Sequence, residues 1–499
     1  LNKLRSALIE VVASFPVYRT YITEDNISKK DKEYILWAVR LAKKKSFIED
    51  SSIFDFIQNV LLLEHGKDST EFYQRQVLNF TMRFQQFTGP VMAKGLEDTA
   101  FYRYNPLVSL NEVGADLRYF GCSLNSFHNQ NIERVKRWPY SMLNSFTHDS
   151  KRSEDVRARI NVISEIPNEW EALLGKLNKY NKSKKCEANN TLIPSANDEY
   201  LLYQTLIGSW PNEALNEIEL EEFINRVENY MLKATREAKE HTSWLNPDEE
   251  YEQALLKFTR SVISSLNNQQ EFEDFKNFQE KVSWCGAINS LSQSILKLTS
   301  PGVPDFYQGS EVWNYSLVDP DNRRKVNFSK NQSIFHQIEP LMSCNRKMDE
   351  YERHSIFLEL MENYKDSRIK TYIISKTLKF RNLNQEALFN GDYIPLEAKG
   401  KYAQNLVSFI RKKDNQLCLV VVPLFVSQIT GNNLQNQTNQ NILGETLWED
   451  TKIILPEDFT ENYLLNFLSG EMIDCRNNRE IEVYNIFKHL PFAILTNSF

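Results

Sequence analysis

Apolar positions at the start of the chain recur at helical spacing. Leu1, Leu4, Leu8 and Val11 predict an amphipathic helix already under way at the first residue. A natural chain rarely opens inside an element, so the sequence is expected to be a fragment lacking an N-terminal part. Phe15-Pro16-Val17-Tyr18-Arg19-Thr20-Tyr21-Ile22 predicts a strand, with Pro16 near its start where a missing donor does least damage. Residues 31–64 are helical in pattern, through Tyr34, Leu36, Trp37, Val39 and Leu41, and the Lys43-Lys44-Lys45 run reads as a solvated helix face. Gly89-Pro90 and Gly95 punctuate residues 70–105 and predict a loop between helices. Trp138 to Asn144 reads as a short apolar strand ending in polar residues. A helix follows to about Ile166: Ser153 suits the N-cap, Glu154 and Asp155 suit the positive end, and Val156, Ile160 and Ile163 form its apolar stripe. Residues 167–295 are mostly helical, with a polar hinge around 178–190. That stretch is too long for one helix between two strands and predicts a helical insertion. Ser300 to Glu311 reads as a strand and loop, and 333–390 is again helical. From Gly391 the pattern turns to short apolar runs, such as Leu417–Val422 and Lys452–Leu455, which predict strands of a terminal β-sandwich. The Asn/Gln-rich segment Asn432–Asn441 reads as a mobile loop within it.

Composition narrows the function. Hydrophobic residues make up 41% of the 499 positions, ample for a large core, and the net charge of −7 is mild and interspersed. No basic arm or stripe occurs, which argues against nucleic acid as a partner. Cys122, Cys186, Cys285, Cys344, Cys418 and Cys475 are scattered, with neither CxxC nor Cys-His metal spacing. A reduced, cytoplasmic protein without a metal site is expected. No apolar run has the length of a membrane span, and no signal-peptide pattern is present.

The densest chemistry lies at Ser145-Phe146-Thr147-His148-Asp149-Ser150-Lys151-Arg152-Ser153-Glu154-Asp155, where the strand gives way to the helix. In a barrel of alternating strands and helices, such strand ends build the active-site face. Taken alone, His148-Asp149 is equally an ordinary helix N-terminus with surface ion pairs. The pair resembles the strand-seven signature of the α-amylase superfamily, however. The run from Thr147 to Arg159 resembles, within it, the maltooligosyltrehalose synthases. Gly302-x-Pro304-x-x-Tyr307-x-Gly309-x-Glu311 is similar to the superfamily's strand-eight signature, where a glycine-rich turn lets backbone approach sugar; alone it is also a strand ending in a turn. The Asp319-Pro320-Asp321-Asn322-Arg323-Arg324 loop corroborates the family without pointing to chemistry. Gly89-Pro90-Val91-Met92-Ala93-Lys94-Gly95-Leu96-Glu97-Asp98-Thr99-Ala100-Phe101-Tyr102-Arg103-Tyr104 resembles the synthases most specifically. Lys94, Glu97 and Asp98 are candidates to line a saccharide cleft, or else members of a salt-bridged loop. Gly208-x-Trp210-Pro211 and the Lys233–Trp244 motif resemble the family too, with packing as their expected role.

The resemblance implies the C-terminal part of a (β/α)8 barrel with large helical insertions, followed by a C-terminal β-sandwich. Barrel strands six and seven, inserted helices and a substrate loop fall in 1–165, and the helical insertion in 166–295. Strand eight and its following helices fall in 296–390, and the sandwich in 391–499. It also implies an intramolecular transglycosylation on a maltooligosaccharide, converting the reducing-end α-1,4 bond to α,α-1,1 in trehalose biosynthesis, with no cofactor. Retention at the anomeric carbon needs a carboxylate nucleophile and a carboxylic acid about 5–5.5 Å apart. Carried onto this chain, Asp149 becomes the further carboxylate that stabilises the oxocarbenium-like transition state. His148 becomes its sugar-binding neighbour, and Lys151, Arg152 and Tyr307 become substrate contacts. The family's Arg-x-Asp-His-x-Asp-Gly motif, which carries the nucleophile, is missing, as is its strand-five glutamate. The chain alone is therefore expected to be inactive, with the missing N-terminal barrel segment as its partner. Two readings compete: another α-amylase-type glucan hydrolase or transglycosylase, and a non-catalytic glucan-binding remnant or half of a split enzyme.

Overall fold

The computed structural model describes residues 2–48, 50–188, 191–268, 273–342, 349–430, 443–476 and 479–497. The Asn432–Asn441 segment and Cys344 lie outside the described residues. The chain divides into two compact units: Leu1–Tyr104 with Ala234–Pro247, and Asn105–Lys233 with Asp248–Phe499.

Unit 1 is built on α1 (Asn2–Ala13), α2 (Lys29–Lys45), α3 (Ser52–Leu61) and α4 (Glu71–Met92). Ser28 and Thr70 cap α2 and α4 by accepting from the Asp31 and Tyr73 amides. The core gathers Ala7, Val11, Phe15, Ile22, Ile35, Val39, Phe54, Ile57, Leu61 and Phe84. Two expectations fail here. Phe15–Ile22 forms no strand, although Phe15 and Ile22 are buried. Side chains take the place of a neighbouring strand: the Ile22 amide donates to Gln85 Oε1 at 2.7 Å, and Gln85 Nε2 donates to the Ile22 carbonyl at 3.1 Å. The Tyr21 amide donates to Asp31 Oδ1 at 3.1 Å. The apolar pattern therefore reflects packing on helices. Residues 85–104 form no loop either. Helix α4 runs through Gly89-Pro90, widens into π-helical turns over Ala93–Ala100, and closes with α5 (Phe101–Arg103). Pro90 removes a donor from the α ladder, and wider turns at such a fault are a known accommodation.

Unit 2 carries α6 (Leu124–Arg137), β1 (Met142–Leu143) and α7 (Glu154–Val162). These are followed by α8 (Pro167–Asn181), a hairpin of β2 (Cys186–Ala188) and β3 (Thr191–Ile193), α9 (Ala196–Ser209), α10 (Glu217–Ala238, its end in unit 1), α11 (Glu249–Asn268) and α12 (Glu273–Thr299). Helix α7 begins at the predicted cap, with Ser153 accepting from the Val156 amide. Val156 and Ile160 are fully buried, and a Cβ on Gly286 of α12 would lie 2.7 Å from Arg159 Cγ. Such close helix contact leaves the start of α7 no freedom to shift.

β4 (Val303–Pro304) pairs parallel with β1, Met142 opposite Val303 and Leu143 opposite Pro304. Gly302, just before β4, has φ +129°, and a Cβ there would lie 2.7 Å from Leu143 Cγ and 2.8 Å from the Ser141 carbonyl oxygen. This glycine serves the approach of one strand to the other. Arg381 fixes the same corner, donating to the Leu298 and Gly302 carbonyls at 2.7 Å each. Gly302→Ala is expected to destabilise unit 2 by roughly 1–3 kcal/mol through overpacking and backbone strain, measured as a lower urea midpoint.

Among the described residues, helices α13 (Phe328–Ile338), α14 (Glu350–Glu362) and α15 (Arg368–Leu383) lead into a run of strands. These are β5 (Asp392–Pro395), β6 (Glu397–Lys399), β7 (Leu406–Lys413), β8 (Gln416–Pro423), β9 (Lys452–Ile454), β10 (Tyr463–Asn466), β11 (Met472–Asp474), β12 (Glu480–Glu482) and β13 (Ala493–Thr496). They form an antiparallel six-stranded sheet, β11-β10-β13-β8-β7-β5, and a three-stranded sheet, β12-β9-β6. Leu406, Ile410, Leu419 and Val421 from the first share one core with Ile453 and Ile481 from the second. The alternate residues of β7 and β8, such as Phe409 and Val420, are also buried. Burial of both faces explains the unbroken apolar run at 417–422.

Candidate functional site

The turn between β1 and α7 holds two side chains to solvent on a backbone that is tied down throughout. His148 and Asp149 are exposed, while Ser150, Lys151, Arg152 and Ser153 are buried. Ser150 Oγ accepts from the Thr147 amide at 2.9 Å, and Thr147 Oγ1 accepts from the Asp149 amide at 3.2 Å. Asn322 Nδ2 donates to the His148 carbonyl at 3.0 Å. Glu112 accepts from the Lys151 amide at 2.7 Å and the Arg152 amide at 3.3 Å. Among the described residues, no hydrogen bond or ion pair engages the Asp149 carboxylate or the His148 ring. A rigid turn presenting unengaged polar groups is what preorganised binding needs.

Arg152 is placed differently from a sugar contact. Its guanidinium is buried, donating to the Val108 carbonyl at 3.2 Å and to the Tyr230 hydroxyl at 2.5 Å. It braces the turn from behind. Tyr307 is half-buried and meets Phe146 edge-to-face at 4.9 Å between centroids, which sets it beside the same strand end.

Beneath the turn lies a charged cluster. Lys370, with 0% of its side chain exposed, donates to Glu154 Oε1 at 3.1 Å and to Asp155 Oδ1 and Oδ2 at 3.0 and 2.8 Å. Lys297 reaches Glu154 Oε2 at 3.3 Å and Ser145 Oγ at 2.8 Å. Ser145 also donates to Glu154, Ser290 donates to Asp155, and the Asn314 amide reaches Asp155 Oδ2 at 2.7 Å. Burial opposes the charge on Glu154, but Lys370 and then Lys297 outweigh it and hold the carboxyl down at about 2. Burial pushes Asp155 up, because it shares Lys370 with Glu154 and Lys297 serves Glu154. Burial likewise opposes the charge on Lys370, and Asp155 and Glu154 reverse it, raising that ammonium. The acids that the sequence assigns to a helix end are thus also the buried floor of the turn.

Glu112 and Tyr230 arrive from distant segments with no signal near the turn, and Asn322 comes from the Asp319–Arg324 loop. Lys370 and Lys297 carried a signal, each a single cation in an apolar helical run, Ile369–Ile374 and Ile295–Leu298. The Asp319–Arg324 loop is held structurally: Arg226 grips Asp321 with Nε at 2.8 Å and NH2 at 3.0 Å, and Lys233 donates to Asp319 Oδ1 at 2.8 Å.

Lys94, Glu97 and Asp98 belong to unit 1, on its π-helical turns. Lys94 Nζ lies 2.5 Å from Asp98 Oδ2, and Glu97 is buried and accepts from the Tyr18 hydroxyl. Among the described residues, no group of His, Cys, Asp and Glu is arranged to hold a metal, and no helix is long and apolar enough to cross a membrane.

No protein-family model matches the chain. Over 389 residues it is 31% identical to a Mycobacterium tuberculosis protein bearing the name maltooligosyl trehalose synthase, a match covering 78% of this chain and 43% of that one. Among solved structures, the maltooligosyltrehalose synthase of Arthrobacter ramosus aligns with a TM-score of 0.74 at 28% identity. A Sulfolobus tokodaii structure titled as a hypothetical maltooligosyl trehalose synthase aligns with a TM-score of 0.68 at 31%. Each covers 99% of this chain and 54% of the other. The chain spans about half the length of the relatives it matches.

Proposed function

Since the chain belongs to the maltooligosyltrehalose synthase family, we propose that it contributes the His148–Asp149 strand end to an enzyme that rearranges α-1,4-glucans. The observation that carries this reading is the exposed Asp149 carboxylate, with no described hydrogen bond or ion pair, on a turn whose backbone is held by Ser150, Thr147, Glu112 and Asn322. In the reaction, a carboxylate nucleophile attacks the anomeric carbon next to the reducing-end glucose, and a carboxylic acid gives its proton to the departing O4. The enclosed glucose then turns. Its anomeric hydroxyl returns a proton to the same acid/base group and attacks the glycosyl-enzyme, forming the α,α-1,1 bond and freeing the nucleophile. Two inversions give retention, and water must stay out or hydrolysis competes. Asp149 accepts from ring hydroxyls and faces the positive charge that develops at the anomeric centre, while His148 binds a neighbouring hydroxyl. Lys151 and Tyr307 are assigned to the saccharide, and Arg152 to holding the turn. Lys94, Glu97 and Asp98 are carried over as separate assignments in unit 1.

Neither the nucleophile's motif nor the acid/base glutamate's occurs in these 499 residues. In this reading both come from polypeptide outside them, and the chain alone does not turn over. We assign the activity to a (1→4)-α-D-glucan 1-α-D-glucosylmutase in a reducing cytoplasm, where the unpaired Cys122, Cys186, Cys285, Cys418 and Cys475 would persist. The barrel and the sandwich are assigned with it, from the parallel β1–β4 pair and from the two sheets sharing one core. Loss of reducing ends from maltoheptaose tests the reading, using this chain alone and then mixed with polypeptide equivalent to the relatives' remaining half. Activity confined to the mixture is expected. Activity in the bare chain would place the nucleophile among its own acids, and inactivity in both would favour a glucan-binding role.

A further inference from the structure

The loop after α10 presents its two largest apolar side chains outward, where packing was expected. Trp244 is 53% exposed and Leu245 is 98% exposed. The loop is nonetheless well tied. The Ser243 amide donates to the Asn246 carbonyl at 3.2 Å, and the Asn246 amide to Ser243 Oγ at 3.0 Å, closing a turn with Trp244 and Leu245 at its tip. The indole is fixed as well: Nε1 donates to Glu237 Oε1 at 3.1 Å, and the Arg236 guanidinium lies 4.8 Å from the ring centroid. At the base of the loop, Lys239 Nζ lies 3.1 Å from Thr99 Oγ1, and Arg103 Nε donates to the Ala238 carbonyl at 2.5 Å. Residues 239–246 bound a pocket of about 260 Å³.

The arrangement joins a preoriented aromatic plane to an amine, a carboxylate, an imidazole and an amide within one short loop, from Lys239, Glu240, His241 and Asn246. A sugar uses both halves: its ring C–H face lies on an aromatic plane while its hydroxyls exchange hydrogen bonds with the rim. A purely apolar ligand would strand the polar lining, and a phosphate would meet Glu240. Fixing the indole beforehand removes the ordering cost of binding. We propose that the Trp244 loop is an α-glucan contact of unit 1, stacking one glucosyl unit of a maltooligosaccharide on the indole. This rests on the reading of the chain as part of an α-glucan enzyme and adds a site which that reading does not assign.

Calorimetric titration of the whole chain with maltoheptaose tests it. The wild-type chain is expected to bind. Trp244→Ala is expected to weaken affinity about ten-fold or more, equivalent to roughly 1.4 kcal/mol, while Trp244→Tyr, which keeps an aromatic plane, stays near wild type. Unchanged affinity in Trp244→Ala overturns the inference and leaves the α-glucan reading standing, and so does an equal loss in Trp244→Ala and Trp244→Tyr. A wild-type chain that binds no maltoheptaose, although the mixture with the complementary half consumes its reducing ends, also overturns the inference alone. Neither binding nor consumption removes both. If Trp244→Ala loses no sugar affinity but no longer joins the complementary half, the loop is a protein contact instead.

Discussion

Lys370→Met is expected to lower the stability of unit 2 by about 3–5 kcal/mol, the usual result of removing one partner from a buried ion pair. Lys370 bonds both Glu154 and Asp155, and all three side chains are within 2% of complete burial. Methionine would fill much of the volume but leave two buried carboxylates with Lys297 as their remaining cation among the described residues. Adding Glu154→Gln and Asp155→Asn to Lys370→Met is expected to recover part of the loss, since neutral amides need no countercharge. The cluster also sets an acid limb. Glu154 ionises at about 2 in the folded chain against an ordinary 4.5. A depressed acid stabilises the fold above its unfolded value, so this contribution is complete above pH 4.5 and fades as pH falls toward 2. Asp155 is shifted upward and acts with the opposite sign, binding its proton first. Thermal melts of wild type and Lys370→Met between pH 6 and pH 2 should converge on the acid side. Parallel curves would show that the cluster contributes nothing through ionisation.

Much of the architecture was legible because it rests on local signals. Ser153 and its acidic followers marked the start of α7, and the unbroken apolar run at 417–422 marked a strand. Phe15–Ile22 misled because a buried extended segment and a strand share one pattern, and here side chains of Asp31 and Gln85 stand where a neighbouring strand would pair. Gly89-Pro90 misleads because such punctuation usually ends a helix, whereas here the helix continues through Pro90 and widens. At the site, the exposed pair was legible as a motif. Its supports were not, since Glu112 and Lys370 lie far from the turn in sequence. Arg152 shows the limit of reading roles from motifs: it follows Asp149 by three residues, yet its guanidinium is buried against Val108 and Tyr230.

Asp149→Asn, in the reconstituted mixture, is expected to lower kcat by about 10²–10³. In the proposed role the carboxylate acts where positive charge develops, so the loss is expected to fall on the transition state more than on substrate binding, and KM should move little. Because Asp149 is exposed and its carboxylate makes no described contact, the melting temperature should not change. A fall in stability with a proportionate fall in activity would instead make it a structural residue of the turn.

If this strand end serves isomerisation, carbon NMR of maltoheptaose incubated with the chain and its complementary half will read it out. The reducing-end anomeric signals should disappear as α,α-1,1 signals grow in step, with free glucose staying low. Free glucose rising as the α-1,4 bonds vanish would contradict isomerisation and identify a hydrolase.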